Sequence, residues 1–87
     1  MTVRDTIVFE SRLANTSAYV YQSYFINKDS KIKVQWFDVR LIDNKTSRSF
    51  QKHEVHIPRD VKKKDLEAIK QSVIQYVELS QAVYEKY

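Results

Sequence analysis

Residues 31–42 read Lys-Ile-Lys-Val-Gln-Trp-Phe-Asp-Val-Arg-Leu-Ile, and this stretch decides the fold class. Ile32, Val34 and Trp36 alternate with Lys31, Lys33 and Gln35, which is the two-residue period of a strand with one apolar face. At Trp36-Phe37 the phase slips by one. Val39 and Leu41 then follow Phe37, and Asp38 and Arg40 become the polar set. A β-bulge at this dipeptide keeps both apolar sets on the core face. The other reading is one continuous twisted strand whose two ends are buried on different faces.

On either side of this strand lie segments with turn chemistry, Asn27-Lys28-Asp29-Ser30 and Asp43-Asn44-Lys45-Thr46, each flanked by strand-like runs. Upstream, Ile7 and Phe9 alternate, as do Tyr19 and Tyr21, predicting strands over 3–11 and 17–26 joined through Leu13-Ala14-Asn15-Thr16. Downstream, 47–57 is mostly polar until Val55 and Ile57, a composition suited to an exposed edge strand. Pro58 ends the sheet, and Asp60 is the predicted N-cap of a helix running to about Lys86. Leu66, Ile69, Val73, Tyr76, Val77, Ser80, Tyr84 and Tyr87 recur at spacings of three and four, one stripe that covers the sheet. Ile74, Leu79, Ala82 and Val83 fall outside it, leaving apolar surface for a second contact such as a homodimer partner. The expected fold is therefore α+β: a four-stranded antiparallel β-meander with one long C-terminal amphipathic helix packed on one face. Phe9, Trp36 and Phe37 are the expected aromatic core.

Composition narrows the function. Eighty-seven residues support one hydrophobic core, so residues 1–87 are expected to form a single domain. Cysteine is absent, which excludes disulfides, thiolate metal sites and a cysteine nucleophile. Glycine is absent too, so the phosphate-cradling P-loop and the dinucleotide-binding turn are excluded. Positive-φ turn positions then fall to Asn and Asp. No long apolar run or charged-then-apolar leader pattern occurs, which predicts a cytoplasmic protein without membrane contact. His53 and His56, three apart in a strand, point to opposite faces and cannot share a metal. No catalytic triad, metal ligand set or cofactor motif emerges, and the expectation is a non-enzymatic binding protein without cofactor.

The charge is uneven. From Lys28 to Lys64 eleven Lys and Arg face five Asp and Glu, a local charge of +6, whereas the rest of the chain carries −2. Lys31, Lys33, Arg48 and Lys52 can project from the sheet, and Arg59, Lys62, Lys63 and Lys64 surround the start of the helix. Cations there oppose the helix dipole, so their presence suggests a phosphate ligand that relieves them. Tyr19, Tyr21, Tyr24, Phe25, Trp36, Phe37 and Phe50 are interleaved with the charge; one or two of the tyrosines, if exposed on the open face, could stack on unpaired bases. These eight cations are the candidate nucleic-acid contacts, with RNA or single-stranded nucleic acid favoured. The alternative is a protein-protein interaction module or inhibitor.

In element order, ββββα, the chain resembles the small DNA-binding domains of some phage and transposon integrases, which read the major groove with a sheet. Its compact, glycine-free character is also similar to small phage and mobile-element proteins that mask a host or rival protein surface, which corresponds to the protein-binding alternative.

Overall fold

The computed structural model describes residues 3–86. Four strands, β1 (Arg4–Arg12), β2 (Thr16–Ile26), β3 (Lys33–Asp43) and β4 (Arg48–Ile57), precede one helix, α1 (Lys63–Glu85). Each strand pairs antiparallel with its sequence neighbour, in the order β1-β2-β3-β4. Among the described residues no helix is long and apolar enough to cross a membrane.

The core lies between the sheet and α1. Ala18 and Val20 of β2, Phe37, Val39 and Leu41 of β3, Ile57 of β4, and Val73 and Val77 of α1 are buried together, with Val8, Phe9, Val55, Val61, Leu66 and Ile69 packed around them. Because opposite residues of an antiparallel pair share a face, the register assigns every side chain to a side. The helix side of β3 carries Gln35, Phe37, Val39 and Leu41, and the open side carries Val34, Trp36, Asp38, Arg40 and Ile42.

The bulge expected at Trp36-Phe37 is therefore absent, because the β2–β3 register runs unbroken from Thr16–Asp43 to Ile26–Lys33. The phase slip marks a change of face. Phe37, Val39 and Leu41 lie under the helix, whereas Val34 and Trp36 pack on the bare face beside Phe25. Trp36 is half-buried there and does not belong to the core. The register shifts fall elsewhere, at Val8 in β1 and at Phe50 in β4. Each bulge turns an extra aliphatic or aromatic side chain towards the helix. Val8 joins Phe9 against the core, and Phe50 stacks on Tyr84 with ring centroids 4.1 Å apart and planes inclined by 10°.

Two other details differ from expectation. The helix begins at Lys63 with Lys62 as N-cap and no side-chain cap, so Asp60 lies two residues too early to serve. Among the described residues the positive-φ positions are Lys31 and Ser47, both at φ 58°, rather than Asn or Asp. Asn27 and Asp43 instead open their turns as side-chain acceptors: Asn27 Oδ1 accepts from the Asp29 and Ser30 N–H groups, and Asp43 Oδ1 from that of Lys45. Lys31 and Ser47 close the same turns by donating their N–H to the Asn27 and Asp43 carbonyls. A Cβ in the left-handed region costs about 1 kcal/mol, so Ser47→Gly should stabilise the fold by about 0.5–1 kcal/mol in urea unfolding.

The C-terminal end of α1 is docked by a polar network. Gln81, fully buried, donates Nε2 to the Ser11 carbonyl at 3.3 Å and to Thr16 Oγ1 at 3.2 Å. Thr16 Oγ1 in turn donates to Glu85 Oε1 at 2.8 Å, and the Asn15 N–H donates to the same carboxylate at 2.9 Å. A carboxylate in the last turn opposes the helix dipole, and α1 has no basic residue there to offset it. The donors of the β1–β2 turn do so instead. Alongside, the Tyr84 hydroxyl donates to Asp43 Oδ2 at 2.9 Å. The described end of the predicted stripe, Tyr84, is thus a half-buried polar anchor; Tyr87 lies outside the described residues.

These contacts link stability to pH. Partial burial pushes the Glu85 carboxyl upwards, but hydrogen bonds from Thr16 and Asn15 outweigh it and hold the pKa below the ordinary 4.5. The Lys45 N–H and the Tyr84 hydroxyl hold Asp43 below 3.8, and the Asp43 bond holds Tyr84 above 10.0. Depressed carboxyls stabilise the fold above their unfolded values, and that contribution disappears as pH falls through the lowered folded values. The raised tyrosine contributes below pH 10.0 and loses its contribution above it. The melting temperature should therefore fall as pH drops through the carboxylate range below 4.5. Circular dichroism melts of Glu85→Gln and Asp43→Asn should show a shallower acid limb than the parent.

Candidate nucleic-acid interface

The β2–β3 turn (27–32) and the β4–α1 connection (58–62) lie at the same end of the sheet, because Ile26 pairs with Lys33 and Ile57 with Gln35. Six of the eight candidate cations gather there. Lys31 is in the turn, Lys33 begins β3, Arg59 and Lys62 are in the connection, and Lys63 and Lys64 open α1. Lys28 joins them. All seven are exposed and none forms an ion pair among the described residues. Asp29, Asp60 and Asp65 lie among them, and Asp5 and Glu54 lie on the open face nearby.

The other two candidates are not part of this group. Arg48 stands opposite Asp43 at the far end of the sheet, about 30 Å away by strand rise. Lys52 stands opposite Arg40 on the open face. That face as a whole is not basic. Arg12, Arg40 and Lys52 share it with Asp5, Glu10, Asp38 and Glu54. Arg12 pairs with Glu10 and Arg40 with Asp38, both at 3.2 Å.

At the basic end, the open face carries an aromatic notch that sequence reasoning missed by placing Trp36 in the core. Phe25 and Trp36 meet edge to face with centroids 6.1 Å apart. With Val34, Glu54 and His56 they line a concavity of about 330 Å³. The signal was present in residues 32, 34 and 36, whose phase opposes that of 37, 39 and 41. Tyr19 and Tyr21 also lie on the open face, stacked at 6.4 Å, with the Arg40 guanidinium 5.2 Å from the Tyr21 ring. Tyr24 is on the helix side under Lys33, whose ammonium sits 4.3 Å from its ring.

His53 falls on the helix side and His56 on the open side, the opposite orientations that their spacing requires. Among the described residues no group of three or more His, Asp or Glu could hold a metal ion. A second concave feature runs along the seam between β4 and α1. It is apolar, about 630 Å³, lined by residues including His53, Val55, Ile69, Val73 and Tyr76. It continues past Tyr76 into a shallower depression at Phe50, Leu79 and Val83. No known protein family, curated protein or solved structure compared with the chain matches it.

Proposed function

We propose that the protein binds single-stranded nucleic acid, RNA in preference, at the end of the sheet where the 27–32 turn meets the 58–62 connection. The carrying observation is that two features share this end: seven exposed cations without ion-pair partners among the described residues, and, on the open face of the sheet, the Phe25–Trp36 notch, with Trp36 three residues along β3 from Lys33. Cations alone would bind any polyanion. An adjacent exposed aromatic adds a surface on which an unpaired base can stack, which a duplex does not offer. Lys31, Lys33, Arg59, Lys62, Lys63 and Lys64 take the phosphates, while Trp36 and Phe25 take a base. Arg48 and Lys52 are outside this path.

Six phosphate contacts to a single strand imply a log-log slope of affinity against salt of about −4. Fluorescence anisotropy with a single-stranded RNA oligonucleotide, a single-stranded DNA and a duplex over a salt series tests the reading. The expected order is RNA, then single-stranded DNA, then duplex. Equal affinity for all three overturns the stacking contribution. A slope near zero, with a partner protein retained from lysate after nuclease treatment, favours a protein ligand at the apolar β4–α1 seam.

A further inference from the structure

The open face contains a charge conflict at its edge. The β3–β4 register sets Arg40 opposite Lys52 and Asp38 opposite Glu54, and like charges directly opposite one another destabilise a sheet. Arg40 and Asp38 relieve each other along β3 through their ion pair. Lys52 and Glu54 are left exposed on the edge strand, without an ion-pair partner among the described residues. From Gln51 to Ile57, β4 is a regular ladder with neither bulge nor proline, whereas the opposite edge, β1, is interrupted at Val8. Charge on an edge strand ordinarily discourages pairing with another strand, unless the signs are arranged to complement those of the partner. Here both signs occur, spaced so that the edge is complementary to itself.

We propose that β4 pairs antiparallel with β4 of a second copy, with the two His53 residues opposite each other on the two-fold axis. The product is a continuous eight-stranded sheet with both helices on one side. This register places Lys52 opposite Glu54 of the second copy, and Glu54 opposite Lys52 of the second copy. Both like-charge rows become balanced across four strands. Moving the axis by one residue sets Lys52 against its own counterpart, or Glu54 against its own. Intermediate registers would oppose an open-face residue to a helix-side one, which a two-fold axis normal to the sheet forbids. The apolar seam of His53, Val55, Ile69, Val73 and Tyr76 then faces its equivalent across the axis.

With the axis at His53 and the bulge at Phe50, the stretch that pairs face for face runs from Gln51 to Val55, about 17 Å. Multiplied by the 15 Å thickness of the molecule, this gives roughly 250 Å² per copy, below the size of a standard specific interface. The dimer is therefore weak and depends on its charge register. The proposal does not rest on nucleic-acid binding: Lys52 lies outside that interface, and Glu54, which lines its notch, is left unchanged in the single variant.

Sedimentation velocity over roughly 1 to 300 µM should show a monomer–dimer equilibrium. Lys52→Glu should weaken dimerisation about tenfold or more, because both symmetry-related rows become repulsive. It also removes the conflict with Arg40, so the dilute monomer should melt no lower than the parent. The double variant Lys52→Glu/Glu54→Lys should recover the dimer. A monomer throughout the concentration range overturns the proposal. So does a dimer indifferent to Lys52→Glu, or one lost instead to Leu79→Arg alone, which would place the contact on the helix. RNA affinity of Lys52→Glu, measured in parallel, separates failure of this proposal from failure of the nucleic-acid reading.

Discussion

Replacing Val77 by aspartate should leave the chain unfolded at room temperature, with no cooperative transition in circular dichroism. Val77 is fully buried, in one cluster with Ala18, Val20, Phe37, Val39 and Leu41. A chain of this length has roughly 4 to 13 kcal/mol of stability to lose. Losing the buried isopropyl group costs about 2 kcal/mol, and an unpaired carboxylate in its place costs about 3 to 5 kcal/mol more. Among the described residues the cluster offers that carboxylate no cation, since its members are all apolar. Val77→Ala, which creates a small cavity without a charge, should cost about 2 kcal/mol and still fold. Gln71→Asp, on the exposed side of α1, should change stability by about 0.5 kcal/mol or less. If Gln71→Asp proved the more damaging, the helix would be facing the other way.

The second large effect concerns binding. Changing Lys62, Lys63 and Lys64 together to glutamine should lower RNA affinity by about tenfold or more and make the salt slope shallower by about 2, as three phosphate contacts are lost. The fold should not suffer. The helix start has no side-chain cap and three cations facing the positive end of the dipole. Removing them relieves a few tenths of a kcal/mol each, at little cost in helix propensity. Trp36→Ala should act differently, losing about 1–3 kcal/mol of stacking while leaving the salt slope unchanged. A folded triple variant that binds RNA as tightly as the parent would reduce the basic end to solvated surface.

Much of the fold was legible in local pattern, and particular residues show where legibility ended. The alternation up to Ile57 and the three-four spacing from Leu66 predicted the order and type of all five elements, because each reports its own buried face. Periodicity could not say which face of β3 the helix covers. A phase slip at Trp36-Phe37 is the same in sequence whether produced by a bulge or by apolar groups on both faces. The bulge at Phe50 was hidden for the opposite reason: its neighbours are polar, and its purpose, contact with Tyr84, lies 34 positions away. Eight cations close in sequence were resolved by register into one cluster of six and two outliers, Arg48 and Lys52. The Gln81–Thr16–Glu85 network had no local signature, since a buried glutamine in a helix resembles a surface one until its partners are known.

That network also bears on the order of events in folding. Every strand pairs with its immediate successor, so each step of sheet assembly closes only a short connection and needs little loop-closure entropy. The bonds from Thr16 and Asn15 to Glu85 join residues 69 and 70 positions apart. They can form only after the β1–β2 turn exists and α1 has come to rest against it. The last turn of the helix is then the final part to lock and the first to release, and amide protons near Glu85 should exchange through openings far smaller than the global one that exposes Val39 and Phe37. The opening expected first is at the last turn of α1, where it rests on the β1–β2 turn.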